Sequence, residues 1–198
     1  MIVSIFEYGV GNLHSLARSL QAGGAEVRIE SDPRVVLTGD ALVLPGVGAF
    51  GAAAALLAPA APMLRQAMID GFPTLGICLG MQLLFESSEE GPGAGLGVLP
   101  GTVRRLQAPR VPHTGWNAVE HLPDPLFQGV DSLIAYFANS YIAEPRDPAA
   151  IIGWTEYAGR QFTSAVRRGR TWGVQFHPEK SGQAGQKVIR NFLAQVRP

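Results

Sequence analysis

The sequence holds a single cysteine, Cys78, inside Leu75-Gly-Ile-Cys-Leu-Gly80. Glycines stand two residues before and two residues after it, at the point where an apolar, β-prone run gives way to a helical one. A strand that becomes a helix within about one residue needs a sharp turn whose central residue is strained and whose neighbours lack bulk. The pattern is the thiol counterpart of the serine elbow of α/β hydrolases, and it lifts the sulfur above the carboxyl edge of a sheet. Cysteine is also among the most buried residue types, so taken alone the segment fits a small core hydrophobe equally well.

A thiol nucleophile needs a proton shuttle, and the shuttle needs an orienting group. His177-Pro-Glu179 supplies both after the strand-like run Trp172-Gly-Val-Gln-Phe176. In extended chain residues 177 and 179 project to one side, about 6–7 Å apart, within reach of a glutamate. By itself His-x-Glu fits a surface loop, but together with Cys78 it completes a catalytic triad of Cys78, His177 and Glu179. Pro45-Gly-Val-Gly48 follows the buried run Ala41 to Leu44, so its backbone can approach a ligand and aim an N–H inward, with the Leu79 N–H as partner, as an oxyanion hole. Residues 46–51 formally match a dinucleotide fingerprint, yet Asp70, the candidate ribose acid, closes a helical stretch instead of ending a strand. No Ser elbow, phosphate loop or zinc spacing occurs, and neither a metal nor a cofactor is expected.

These residues require a sheet to present them. With 198 residues, 46% hydrophobic and 16% charged, the chain suits one α/β domain over 1–198. Ile2 to Phe6, Val27 to Ile29, Ala41 to Leu44 and Thr74 to Ile77 read as strands. Asn12 to Ala22 and an Ala-rich, proline-broken segment reaching Met68 read as helices between them. After Gly91 strand-like runs at 102–106, 116–119, 133–137, 151–157, 161–167 and 171–176 succeed one another before a helix at 183–195. The expected architecture is an open, mixed, largely parallel sheet with helices on both faces. From Ala41 to Leu64 no residue is charged, but prolines and glycines interrupt any membrane span. Sixteen basic residues balance sixteen acidic ones with no basic stripe, which argues against nucleic acid as a partner. One cysteine and no basic leader point to the cytoplasm.

The motifs together resemble those of the class I glutamine amidotransferases. The elbow and His-Pro-Glu are common to that class. Glu7-Tyr-Gly-Val-Gly-Asn12, Pro45-Gly-Val-Gly48, Pro112-His-Thr-Gly-Trp-Asn117, Tyr136-Phe-Ala-Asn-Ser-Tyr141 and His177-Pro-Glu-Lys-Ser181 resemble its glutaminase subunits of imidazole glycerol phosphate synthases. The resemblance implies hydrolysis of L-glutamine to glutamate and ammonia. Cys78 would attack the amide, His177 would shuttle the proton and Glu179 would hold the imidazole. It implies Val47 and Leu79 as oxyanion donors, and Gly48, Gln82, Glu90, Ser140 and Tyr141 around the glutamine. It also implies a heterodimer with a (β/α)8-barrel cyclase of histidine biosynthesis. Candidates for the partner side are Asn12; Trp116, because tryptophan beside glycine in a loop suits an interface; and Lys180 and Ser181, just past the triad. Read without the resemblance, Gln82 and Glu90 suit solvated positions and Trp116 and Tyr136 suit the core. Glu7, Asn139 and Ile142 depart from the subfamily pattern. A glutaminase serving another synthase, a self-sufficient thiol hydrolase and a catalytically silent binding module stay open.

Overall fold

The computed structural model describes residues 1–7, 13–46 and 48–196. Its first half alternates strand and helix: β1 (Ile2–Phe6), α1 (His14–Ala22), β2 (Glu26–Glu30), β3 (Ala41–Leu44), α2 (Phe50–Leu57), α3 (Ala61–Ile69), β4 (Thr74–Ile77) and the short α4 (Leu79–Gln82). The second half is strand-rich, with β5 (Ser87–Ser88), β6 (Gly101–Arg105), β7 (His113–His121), β8 (Leu133–Asn139), β9 (Tyr141–Pro145), β10 (Ile151–Tyr157), β11 (Arg160–Arg168) and β12 (Thr171–Val174). The helix α5 (Gly182–Val196) follows.

One sheet runs in the order β2-β1-β3-β4-β12-β11-β10-β7-β8, with β9, β6 and β5 branching from β11. From β2 to β12 every pairing is parallel, and from β12 to β8 every pairing is antiparallel. The three central strands Ala-Leu-Val-Leu, Thr-Leu-Gly-Ile and Thr-Trp-Gly-Val are buried at every residue, which is why they read as unbroken apolar runs. Residues alternate between two cores. Val3, Ile5, Val43, Leu75, Ile77 and Val174 face α1 and α5, while Leu42 and Leu44 face α2, α3 and the segment after α4. The α1 and α5 pair is tied by Gln186 Nε2 donating to the Ser19 carbonyl at 2.8 Å. Sheet and helix positions agree with the expected mixed α/β architecture.

The uncharged segment after β3 folds as α2, a 3-10 turn at Ala58–Ala60 and α3, with Pro59 and Pro62 in the first turns of the latter two. By length and composition Phe50–Ile69 could cross a membrane, but Phe50, Ala53, Ala54, Leu57, Leu64 and Met68 are buried in the second core. Asp70 caps the end of α3, away from any strand end, and accepts from Gln66 Nε2 at 2.8 Å. Two strands escape the sequence reading, β5 and β9, and β7 begins three residues earlier than its apolar run. Because β1, β3, β4 and β12 are parallel, their carboxyl ends share one edge. Open α/β sheets bind ligands at such an edge.

Candidate active site

Cys78 follows the last residue of β4 and is the N-cap of α4. Its backbone sits at φ 50°, ψ −108°, a conformation that costs an L-residue about 1–3 kcal/mol and persists only where its surroundings impose it. Two features do so. The Cys78 N–H donates to the Val174 carbonyl at 2.7 Å, extending the β4–β12 ladder by one bond. Gly80 passes so close to β3 that a Cβ there would lie 1.9 Å from the Leu44 carbonyl oxygen, so no side chain is admitted. The glycine predicted to give the elbow room therefore does so against the neighbouring strand.

His177 arrives from the next strand. Gln175 and His177 continue β12 past Val174, and their alternate positions put both side chains toward Cys78. The imidazole lies beside Cys78, both within reach of one Cβ position at Gly46, and its Nδ1 donates to Glu179 Oε1 at 2.8 Å. The chain does not stay extended through 179 as the spacing suggested. Pro178–Lys180 form a 3-10 turn, started by a proline whose fixed φ suits a first helical position, and this turn swings the carboxylate back under the ring. Burial pushes the His177 pKa down. Hydrogen bonds and charge from Cys78 and Glu179 outweigh it and raise it to about 9. The ring is thus a firmly held proton carrier at neutral pH.

The backbone of His177 is fixed as well. Its N–H donates to the Tyr136 carbonyl at 2.8 Å, its carbonyl accepts from Ser181 Oγ at 2.6 Å, and Ser181 Oγ accepts from the Tyr136 N–H at 2.9 Å. Ser181, expected among partner contacts, is 2% exposed and instead clamps His177 to β8.

A cleft of about 190 Å³ opens beside the sulfur, lined by Gly46, Gly48, Cys78, Leu79, Gln82, Glu90, Ala138, Asn139, Ser140 and Tyr141. Every described residue expected around the glutamine is in this lining. Val47, expected as an oxyanion donor, and Asn12, expected at the partner side, lie outside the described residues. Gln82 is buried and not solvated, donating from Nε2 to the Tyr141 carbonyl at 3.2 Å and to Gln175 Oε1 at 3.1 Å. Glu90 Oε2 accepts from the Phe50 N–H at 3.1 Å, so its carboxylate lies at the start of α2. A second, more apolar groove over Leu122, Ile142, Trp154 and Phe162 has neither sulfur nor imidazole in its lining. Among the described residues no cluster of His, Cys, Asp or Glu could hold a metal ion.

Gln175, fully buried with Nε2 at 3.4 Å from Cys78 Sγ, was missed by the motif reading. The signal was its place two residues before His177 in the same strand. Trp116 is no core residue: it is 57% exposed, opposite Tyr136 across the β7–β8 pair, with ring centroids 6.0 Å apart. Lys180 is exposed and its Nζ stands 5.7 Å from the centre of the Tyr136 ring. With Ile134, 48% exposed, these residues form an apolar and cationic patch beside the cleft rim at Ala138.

The family profile described as glutamine amidotransferase class-I matches residues 4–196. The imidazole glycerol phosphate synthase subunit HisH of Synechococcus elongatus is 43% identical over 207 residues, spanning 98% of this chain and 93% of that protein. The HisH subunit of Methanothermobacter thermautotrophicus is 43% identical over 199 residues, spanning 99% of this chain and 100% of that protein. Among solved structures, a crystal structure of a glutamine amidotransferase superposes with a TM-score of 0.79 at 19% identity, covering 99% of each chain. PurLQS from Thermotoga maritima gives 0.79 at 18% identity, again over 99% of each chain. At those identities the structural likeness concerns the fold.

Proposed function

Since the chain belongs to the class-I glutamine amidotransferases and shares 43% identity with HisH subunits over nearly its whole length, we propose that it is the glutaminase subunit of an imidazole glycerol phosphate synthase, with Cys78 as nucleophile. It is a glutamine-hydrolysing enzyme of histidine biosynthesis, and the function expected from the sequence stands. The observation that carries the mechanism is the nearness of Cys78 to an imidazole whose Nδ1 is held by Glu179 at 2.8 Å.

In this reading the thiol proton passes to His177, and the sulfur attacks the side-chain carbonyl carbon of glutamine. The C–N bond breaks as the imidazolium gives its proton to the departing nitrogen, releasing ammonia and leaving a thioester on Cys78. A water molecule, deprotonated by His177, then cleaves the thioester to glutamate and restores the thiol. Glu179 keeps the ring in one tautomer and stabilises its charged form. The Leu79 N–H, in the first turn of α4, and a donor from Val47 would face the developing oxyanion, each such donor being worth about 3 kcal/mol of barrier. Gly48, Gln82, Glu90, Ser140 and Tyr141 would surround the glutamine. A single domain over 1–198 and a cytoplasmic setting, where the thiol stays reduced, suit this chemistry.

The ammonia goes to a cyclase subunit, a (β/α)8 barrel, in a heterodimer. Support for its docking side is the patch of exposed Trp116, Ile134 and Lys180 around half-buried Tyr136, which combines an aromatic anchor with a cation beside the cleft. Exposure of Trp116 favours this over the core reading. The test is Cys78→Ala in the complex. Glutamine-dependent synthase activity is lost while ammonia supplied directly restores the cyclase reaction, and substantial glutamine hydrolysis by the variant would refute the mechanism.

A further inference from the structure

Gln175 lies outside the triad, yet its amide donates to the sulfur, and its orientation is fixed by a carbonyl two links away. The Tyr141 carbonyl can only accept, and it takes Gln82 Nε2 at 3.2 Å and Asn139 Nδ2 at 3.1 Å. With its NH₂ end so placed, Gln82 gives another N–H to Gln175 Oε1 at 3.1 Å. Gln175 then has only its own NH₂ end for Cys78 Sγ at 3.4 Å. Turning Gln82 over would set oxygen against oxygen at Tyr141, and turning Gln175 over would set N–H against N–H at Gln82. Gln82 and Gln175 are 4% and 0% exposed, so no solvent relieves either mismatch. The donors therefore run in one direction and end on the sulfur.

We propose that Gln175 is a further catalytic residue of the glutaminase reaction: its Nε2–H donates to the Cys78 thiolate and holds it ionised and aimed, with Gln82 and the Tyr141 carbonyl fixing that donor. The inference rests on Cys78 being the nucleophile. A hydrogen bond to sulfur favours the charged form because an ionised acceptor roughly doubles the strength of the bond. The strand places donor and base together, Gln175 and His177 being alternate residues beyond β12. As Gln82 and Tyr141 also line the cleft, the groups that would meet glutamine are those that orient the sulfur's donor.

Cys78 is the only cysteine, so the pH profile of iodoacetamide alkylation of the whole chain reports this sulfur alone. Gln175→Met keeps length and volume and removes the donor. Its alkylation midpoint moves up by about one pH unit, with the rate on the acid side falling about tenfold, as loss of one charge-assisted hydrogen bond requires. Gln175→Glu keeps an acceptor for Gln82 and sets an oxygen against the sulfur, and its midpoint moves the same way. Circular dichroism checks that each variant is folded. In the complex both lower kcat for glutamine and leave ammonia-dependent synthesis unchanged. An unmoved midpoint in either folded variant overturns the proposal, and should Gln175→Met not fold, Gln175→Glu decides. In the unaltered chain the Gln175 side-chain amide resonance shifts when Cys78 is alkylated, and a resonance that stays put overturns it as well. The alkylation and resonance readouts, which decide the proposal, need no glutamine turnover, so they are separate from the glutaminase reading, which Cys78→Ala decides.

Discussion

Gly46→Ala drives a methyl group between nucleophile and base. A Cβ at residue 46 would lie 2.7 Å from Cys78 Cβ, 2.9 Å from His177 Cε1 and 2.9 Å from the Ile77 carbonyl oxygen. Ordinary contact begins near 3.4 Å, so the methyl is too close by about 0.7 Å to one side chain and about 0.5 Å to the other. The Ile77 carbonyl belongs to a central buried strand and gives little. Cys78 is held by its N–H bond to Val174, and His177 by its N–H bond to Tyr136. Relief comes mainly by parting sulfur from imidazole. A misplacement approaching 1 Å costs about a hundredfold in rate, equivalent to about 2.7 kcal/mol of barrier. Overpacking of this size costs about 1–3 kcal/mol of stability, which a domain of this length survives. The assay is glutamate release by the complex with its cyclase and ligand, beside ammonia-dependent synthesis as a control. Expected are a kcat lower by about two orders of magnitude and an ammonia-dependent rate equal to wild type. A folded Gly46→Ala that hydrolyses glutamine within about threefold of wild type would show that the pair is not held as tightly as the geometry demands.

Further outcomes follow from the same geometry. With His177 raised to about 9, kcat for glutamine falls as pH rises through about 9, because the imidazolium that protonates the leaving nitrogen is lost; a profile flat to pH 10 contradicts this assignment. The same shift stabilises the fold. The folded pKa exceeds the ordinary 6.5, so this contribution is complete below 6.5 and disappears as pH rises through about 9, a loss that urea denaturation across that window detects and that His177→Ala abolishes. His113, stacked on Phe137 and Tyr157, has its pKa lowered by burial, so stability drops as pH falls below 6.5, and His113→Phe removes that dependence. Gly80→Ala must move β3 or α4 to clear the Leu44 carbonyl and loses about 3 kcal/mol or more in urea denaturation; a loss under about 1 kcal/mol would mean the elbow is loosely packed.

What the sequence made legible is what its chemistry imposes locally. Continuous apolar runs at Ala41–Leu44 and Thr74–Ile77 read as buried strands, and glycines flanking a cysteine at a strand end read as a tight turn. The strand β9 escaped because Tyr-Ile-Ala-Glu-Pro lacks alternation: it is held between β6 and β11 by backbone pairing, with only Ala143 buried. The approach of Glu179 to the ring was foreseen but not its route, since proline at 178 starts a 3-10 turn that extended spacing does not describe. Ser181 reads as a partner-side candidate because it comes just past the triad, whereas its burial depends on β8, about 45 residues earlier in the chain. Gln175 offered only its place before His177, its partners being 93 and 97 residues away.

The place of β12 has a consequence for the protein while it is being made. The strand Thr171–Val174 inserts between β4 and β11, both of which leave the ribosome before it, and brings His177 to a sulfur translated about a hundred residues earlier. Until then β4 and β11 each present an unpaired flank, and the elbow lacks the Val174 carbonyl that holds its backbone. A nascent chain is therefore unable to consume free glutamine, and it acquires that capacity only in the step that seals its sheet.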